Sequence, residues 1–357
     1  MVASLSASKQ VRYHLEELTM KLYCGIDLHS NNHWLTIIDE QDGRLLERRL
    51  SNDLPLTLRT LEPYRDALSA IAVESTFNWY WLVDGLMDAG YEVKLVNTSA
   101  VHQYDGLKHS DDRSDAFHLA HLLRLGILPT GHIYPKKQRA VRDLLRQRSR
   151  LMQQRTAHVL NVKSTYARQL NLRVSADVLN EDRKEPWPDV EDLHTAMAIF
   201  AHRPVIAALN VEIKRIESRV RRELKENSVY RLLQSVPGIG PILAWVILLE
   251  AGDIWRFDQV GNFTSYCRCV QGVRISNGKK KGEPNKKNGN PYLSWAFHEA
   301  AHTAIRFMPQ AKRYYERKAR QRNRMVAMKA ISHKLARACY FIMRDEVQFD
   351  ANKLFHY

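Results

Sequence analysis

The sequence is poor in cysteine. Its four, Cys24, Cys267, Cys269 and Cys339, are too few for a disulfide framework, and the Cys-Arg-Cys step lacks the paired spacing of a zinc ribbon. They read as reduced, packed thiols of a cytoplasmic chain. Long apolar runs are also missing: the longest, about Ala244 to Leu249, falls far short of the roughly 20 residues that cross a bilayer. No membrane partner is expected. Met1 to Met20 scatters Lys9, Arg12, His14, Glu16 and Glu17 among its apolar residues, so it lacks the continuous core of an export signal. Glycine and proline are absent between Pro135 and Pro186, which removes the usual helix breakers and predicts one or two long helices there.

Negative charge is nearly absent from the same stretch. Lys136 to Arg173 holds eleven basic residues and the single acid Asp143. A solvated helix face is the plain reading, but so one-sided a helix repels itself unless phosphates neutralise it. Nucleic-acid contact is therefore expected at Arg139, Arg142, Arg146 and Arg150.

What is present fits that expectation. The 357 residues carry 54 Lys and Arg against 39 Asp and Glu, a formal charge of +15, which attracts a polyanion. Hydrophobic residues at 45% and charged ones at 26% are ordinary globular usage, with length enough for two domains and a connector. The expected divisions are an extension at 1–20, a catalytic domain at 21–130, a helical connector at 131–230 and a C-terminal domain at 231–357.

Along the chain, Lys21 to Asp27, His33 to Asp39 and Arg44 to Leu50 read as strands joined by Asn31-Asn32 and Asp42-Gly43 turns. The pattern then alternates: helix from Leu54 to Tyr64, strand from Ser69 to Val73, helix from Trp79 to Ala89, strand from Glu92 to Val96 and helix from Asp111 to Leu125. Three strands followed by alternating helix and strand is the order of the α/β ribonuclease H architecture, with a mixed sheet. A helix from about Val205 to Asn227 carries Val205, Leu209, Ile213, Ile216, Val220 and Leu224, close to a heptad seam that could pair within the chain or between chains. Pro237-Gly238-Ile239-Gly240 between apolar helical stretches suggests a helix-hairpin-helix, with Gly238 and Gly240 offering amides to a phosphate; an ordinary helix-to-helix turn reads equally well. Arg274 to Lys287 is a basic loop, with Arg274, Lys279, Lys280 and Lys281 as phosphate contacts. Pro291 to Phe307 and Lys312 to Arg344 read as helices.

Four carboxylates stand out. Asp27 ends the first strand in Gly25-Ile-Asp-Leu-His29, and Glu74 ends the fourth in Ala72-Val-Glu-Ser75. Asp112 and Asp115 are three apart at a helix start and share its first turn. Acids that close repel one another, and a hard divalent ion such as Mg²⁺ or Mn²⁺ relieves the repulsion. Each has a plain alternative, since first-turn acids are favoured by the helix dipole alone. A carboxylate directly after Ile71-Ala-Val is costly to hold near a core without a partner. The joint pattern points to a metal site that can polarise a phosphodiester.

These motifs, with Asp112-Arg-Ser-Asp-Ala116, the Pro-Gly-Ile-Gly-Pro turn, Ser276-Asn-Gly-Lys-Lys-Lys-Gly282 and Asn288-Gly-Asn-Pro-Tyr-Leu293, resemble the RuvC-like DEDD transposases of bacterial insertion sequences, which are bridge-RNA-guided recombinases. The likeness runs from Leu22 to about Arg344. It implies a RuvC-like domain, a coiled-coil connector and a mainly α C-terminal transposase domain. It further implies a metal tetrad of Asp27, Glu74, Asp112 and Asp115, and a nucleophilic Ser276 that forms a phosphoserine link to DNA. The partners it implies are donor and target double-stranded DNA, a structured noncoding guide RNA and further copies of the chain, as dimers assembling to tetramers. Ser110-Asp111 departs from the Lys-Thr frequent there in the family. From its neighbours alone, Ser276 reads first as a turn serine beside Asn-Gly. A Holliday-junction endonuclease and a non-catalytic nucleic-acid-binding protein are the competing functions.

Overall fold

The computed structural model describes residues 20–101, 111–179, 186–270, 274–282 and 288–355. The expected extension before Met20, apart from that residue, lies outside them. The chain divides into two compact units, one ending at Tyr134 and one beginning at Pro135.

In the first unit, β1 (Leu22–Leu28), β2 (Asn32–Ile38) and β3 (Arg44–Ser51) form the expected meander. Helix α1 (Leu54–Leu61) leads to β4 (Leu68–Glu74), and α2 (Tyr80–Asp88) to β5 (Val93–Val96). The sheet order is β3-β2-β1-β4-β5, with β1 antiparallel to β2 and parallel to β4. A short α3 (Thr98–Val101) follows, then α4 (Asp112–Arg124). Period-2 alternation sorts the two sheet faces. Cys24, Ile26 and Leu28 of β1 pack with Ile71 and Val73 of β4 and with Leu82, Val83 and Leu86 of α2. The other face carries Ala72, which packs with Leu119 and Leu122 of α4, and it is the face that bears Gly25 and Asp27.

Helix α4 sits very close to the sheet. A Cβ on Gly25 would lie 2.0 Å from the Ala116 carbonyl oxygen and 2.7 Å from the Ala120 nitrogen. Only a residue without a side chain fits there. Both ends of α4 are tied to the meander. Arg113 Nε donates to Glu47 at 2.8 Å, and the Arg44 guanidinium lies 4.3 Å from the Phe117 ring centroid. At the far end Arg124 donates to both Asp42 oxygens at 2.7 and 2.6 Å, and His121 Nδ1 meets Asp42 at 2.9 Å. Burial by itself would raise the Asp42 pKa, but the hydrogen bonds from His121 and Arg124 outweigh it and hold the carboxyl below its ordinary value. Asp42 sits in a left-handed turn conformation, φ 66°, which Asp tolerates.

In the second unit, the basic stretch forms one helix, α5 (Lys136–Leu170). Helix α6 (Leu193–Phe200) and α7 (His202–Leu224) follow. Arg148 bonds Glu217, Arg155 bonds Asn210 and His158 meets His202, so α7 runs antiparallel to α5. The seam therefore pairs within the chain. Its buried register uses Ile206, Ile213, Ile216, Val220 and Leu224, with Val205 exposed, a correction to the expected first position. By composition alone Leu193–Leu224 is long and apolar enough to cross a membrane. It is two helices meeting at Ala201, and α7 carries Lys214, Arg215, Arg219, Arg221 and Arg222.

The remaining elements are α8 (Ser228–Leu233), α9 (Pro241–Ala251), α10 (Val260–Tyr266), β6 (Arg274–Ser276), β7 (Lys279–Gly282), α11 (Pro291–Phe307), α12 (Pro309–Gln321), α13 (Arg324–Asp345) and α14 (Ala351–Leu354). Their core includes Trp245, Phe263, Phe297 and Tyr340. Lys312 to Arg344, expected as one helix, is broken where Asn323 caps α13 by accepting from the Val326 nitrogen. All four cysteines are buried and unbonded to one another. Burial pushes the Cys269 thiol up to about 12 and those of Cys24 and Cys339 higher still, which leaves them protonated and inert.

Candidate active site

Asp27 and Glu74 lie side by side. The last paired positions of the parallel β1 and β4 are Ile26 and Val73, and the acids follow one residue later on each strand. Both project to the α4 face by alternation. Asp27 is buried, 3% exposed, whereas Glu74 is half-buried. Helix α4 brings the other two. Its N-cap is Asp111, whose carboxylate accepts from the Ser114 nitrogen at 2.6 Å, and Asp112 and Asp115 occupy the first turn. Asp111 thus has a capping role that sets where the helix, and so the acid pair, begins. Asp112 is exposed and Asp115 half-buried.

A fifth group, His29, was not foreseen. Its Nε2 lies 3.1 Å from Asp27 Oδ2 and 3.3 Å from Asp112 Oδ2. The ligand atoms of all three residues fall within 4.8 Å of one another. In the sequence His29 stands two residues after Asp27 in Gly25-Ile-Asp-Leu-His29, just past the end of β1. Asp27 Oδ2 is shielded from solvent and has no hydrogen-bond partner. A buried carboxylate oxygen left in that state is costly, and it stands beside a second carboxylate. This donor set fits a divalent cation, which supplies the missing partner and offsets the repulsion. Asp27, Asp112 and His29 can reach one ion; Glu74, at the end of β4, and Asp115, in the first turn of α4, do not join that group.

Ser276 lies in the second unit, where the expected loop is a β-hairpin. Asn277 and Gly278 have φ of 49° and 69°, the pair of positive values that makes a two-residue type I′ turn. Ser276 and Lys279 close it. Asn-Gly was the sequence signal for this hairpin. Lys279 and Lys281 are exposed. Arg274 lies on β6, paired with Gly282, and Lys280 lies on β7, paired with Ile275. The expected loop's remainder, residues 283–287, lies outside the described residues.

The connector arginines divide. Arg139 and Arg142 are buried, at 3% and 5% exposed. Arg146 donates to both oxygens of the buried Glu250, at 2.6 and 2.7 Å. Glu250 also accepts from Asn290 at 2.7 Å, and Asn290 caps α11. Only Arg150 of the four is exposed. Inward-facing arginines on a basic helix cannot be told from outward ones by composition; the acid partner of Arg146 is 104 residues away. Gly238 and Gly240 also divide. Gly238, with φ 99°, is packed so tightly that a Cβ would meet the Ala300 carbonyl oxygen at 2.5 Å, whereas Gly240 is open and caps α9.

Residues 24–167 match a transposase family, the DEDD transposases of IS110, and residues 230–316 match the family described as Transposase IS116/IS110/IS902. A probable family 20 transposase of Pseudomonas aeruginosa is 23% identical over 245 residues, 66% of this chain and 71% of that protein. The IS110 43.6 kDa protein of Streptomyces coelicolor is 22% identical over 147 residues, 41% of this chain and 36% of that protein. The IS116 44.8 kDa protein of Streptomyces clavuligerus is 26% identical over 120 residues, 33% of this chain and 29% of that protein. The first match covers most of the first unit and runs on into α5, and the second falls on helices α8 to α12, so that together they span well over half of the chain. By both matched domains and by its named relatives, the chain belongs to the IS110/IS116 family of insertion-sequence transposases.

Proposed function

We propose that this transposase cuts and rejoins DNA at a divalent-metal site held by Asp27, Glu74, Asp112 and Asp115, with Ser276 as nucleophile. The observation that carries the metal site is the buried Asp27 Oδ2, which accepts no hydrogen bond, beside Asp112 and His29. Bound there, Mg²⁺ or Mn²⁺ supplies Lewis-acid stabilisation of charge on a phosphodiester and its leaving oxygen. The chain's own residues do the rest. Gly25 lets α4 lie against β1, and Asp111 starts that helix where its first-turn acids meet Asp27. Ser276 Oγ attacks a DNA phosphorus; its bond to phosphorus forms as the bond to the 3′ oxygen breaks, and the 3′ oxygen leaves as a hydroxyl. The 5′ phosphate stays on the serine. A 3′ hydroxyl of the partner strand then attacks that phosphate and frees the serine, so strands are exchanged without hydrolysis. A serine hydroxyl needs activation to act in this way.

DNA binding rests on the +15 charge, with Arg150, Lys279, Lys280, Lys281, Arg274 and the α9 N-terminus at Gly240 as phosphate contacts. The family likeness supports an RNA guide that pairs with donor and target, a dimer that assembles to a tetramer, and action in the bacterial cytoplasm at the nucleoid. The test is reconstitution. Protein purified with its RNA, given donor and target DNA and Mg²⁺, yields recombinant joints that Asp27→Ala and Ser276→Ala abolish. Joints formed at the wild-type rate by Asp27→Ala would remove the metal-site assignment, and hydrolytic cutting by Ser276→Ala would favour a nuclease.

A further inference from the structure

The edge of His29 that faces the acids is shut off from solvent, although 38% of its side chain is exposed. Its Nε2 is close to oxygens of both Asp27 and Asp112, yet neither contact is a hydrogen bond. An imidazolium that simply neutralised two carboxylates would aim its N–H at one of them. Instead the nitrogen and the two oxygens lie within 4.8 Å of one another. An octahedral ion with bonds of about 2.1 Å has neighbouring ligands roughly 3 Å apart, which agrees with the 3.1 and 3.3 Å separations.

The backbone of His29 is held from three directions. Its N–H donates to the Asn32 carbonyl at 2.9 Å. Its carbonyl accepts from Asn52 Nδ2 at 3.0 Å and from Asn78 Nδ2 at 3.1 Å. Asn52, just past β3, is itself held by the buried His33, whose Nδ1 donates to Asn52 Oδ1 at 3.2 Å. Asn78, in the loop that follows Glu74, accepts from the Thr76 hydroxyl at 2.9 Å. Segments following three strands of the sheet thus converge on one residue whose ring touches two acids. These bonds fix the backbone position from which the ring reaches the two acids.

We infer that His29 is a nitrogen ligand of the acidic centre, and that the centre consequently prefers Mn²⁺ to Mg²⁺. The inference rests on the proposal that Asp27 and Asp112 hold a metal. Its chemical basis is that Mg²⁺ selects oxygen donors and retains water, whereas imidazole suits transition ions and Mn²⁺ accepts both nitrogen and oxygen.

The test is pulsed electron paramagnetic resonance on the full-length protein loaded with Mn²⁺. The wild type shows nitrogen modulation of the Mn²⁺ echo. That modulation changes from the ¹⁴N to the ¹⁵N pattern when the protein is made with ¹⁵N-histidine, a check that needs no mutation, and it is lost in His29→Ala. Competition titrations show the preference for Mn²⁺ over Mg²⁺ lost in the same variant. Mn²⁺ bound in an Asp27-dependent way without histidine nitrogen modulation overturns the role of His29 and leaves the acidic site standing. Mn²⁺ binding untouched by Asp27→Asn overturns both.

Discussion

Replacing Gly25 by alanine adds one methyl group at the point where α4 touches β1. The new Cβ would sit 2.0 Å from the Ala116 carbonyl oxygen and 2.7 Å from the Ala120 nitrogen. Both are backbone atoms of a helix, so no side chain can swing aside. An ordinary carbon–oxygen contact needs more than 3 Å, so helix and strand must separate by about 1 Å. Overpacking of this kind costs roughly 1 to 3 kcal/mol, which for a unit of this size lowers the melting temperature by roughly 4 to 12 °C. The same displacement carries Asp112 and Asp115 away from Asp27. A misplacement of about 1 Å can reduce a rate by about a hundredfold. The assays are thermal unfolding and the recombination reaction, with Gly261→Ala as control, since no atom lies within 4 Å of a Cβ there. A Gly25→Ala protein that melts and recombines like wild type would refute the claim that this close contact sets the acid geometry.

Three further outcomes follow from the structure. Asp42→Asn weakens the tie to Arg124 and His121 and lowers stability by no more than about 1 kcal/mol, given its partial exposure. Because the folded pKa of Asp42 is depressed, the wild type's advantage is full above the unfolded value of about 3.9 and fades as pH falls through the folded value; unfolding titrations from pH 7 to pH 2 measure it. Arg146→Ala leaves Glu250 buried without its charge partner and costs about 3 to 5 kcal/mol of stability, read by denaturant unfolding, whereas Arg150→Ala leaves stability unchanged and reduces the salt slope of DNA binding by about 1. Gly238→Ala destabilises the second unit, because both its φ of 99° and its contact with Ala300 exclude a side chain, and Gly240→Ala, in open space, weakens DNA binding with little change in melting.

The sheet was legible because its determinants are local. Turn residues at Asn31-Asn32 and Asp42-Gly43 divide the meander, and buried β1 and β4 read as apolar runs ending in acids. Asp112 and Asp115 were legible from a helix-start spacing. His29 was passed over because a lone histidine after a strand carries no signal until the fold places Asp112 opposite it. The connector arginines show the reverse error. Their charge pointed to phosphate, but Arg146 finds Glu250 in a helix far along the chain, a long-range pairing that periodicity cannot report. Asn277-Gly278 encodes the hairpin, but its flanking strands are so short and polar that the sequence alone reads as a loop. The break at Asn323 is a capping effect within a stretch whose basic composition reads as continuous helix.

The most direct test of the central claim is a search for the covalent intermediate. Wild-type protein incubated with its RNA, donor and target DNA and a divalent ion is quenched in denaturant, and the adduct is digested and mapped by peptide mass. The expected result is a DNA phosphate attached at Ser276, absent in Ser276→Ala, Asp27→Asn and chelator-treated samples. Recombinant joints formed with no adduct at any serine, or an adduct that persists in Ser276→Ala, would contradict it.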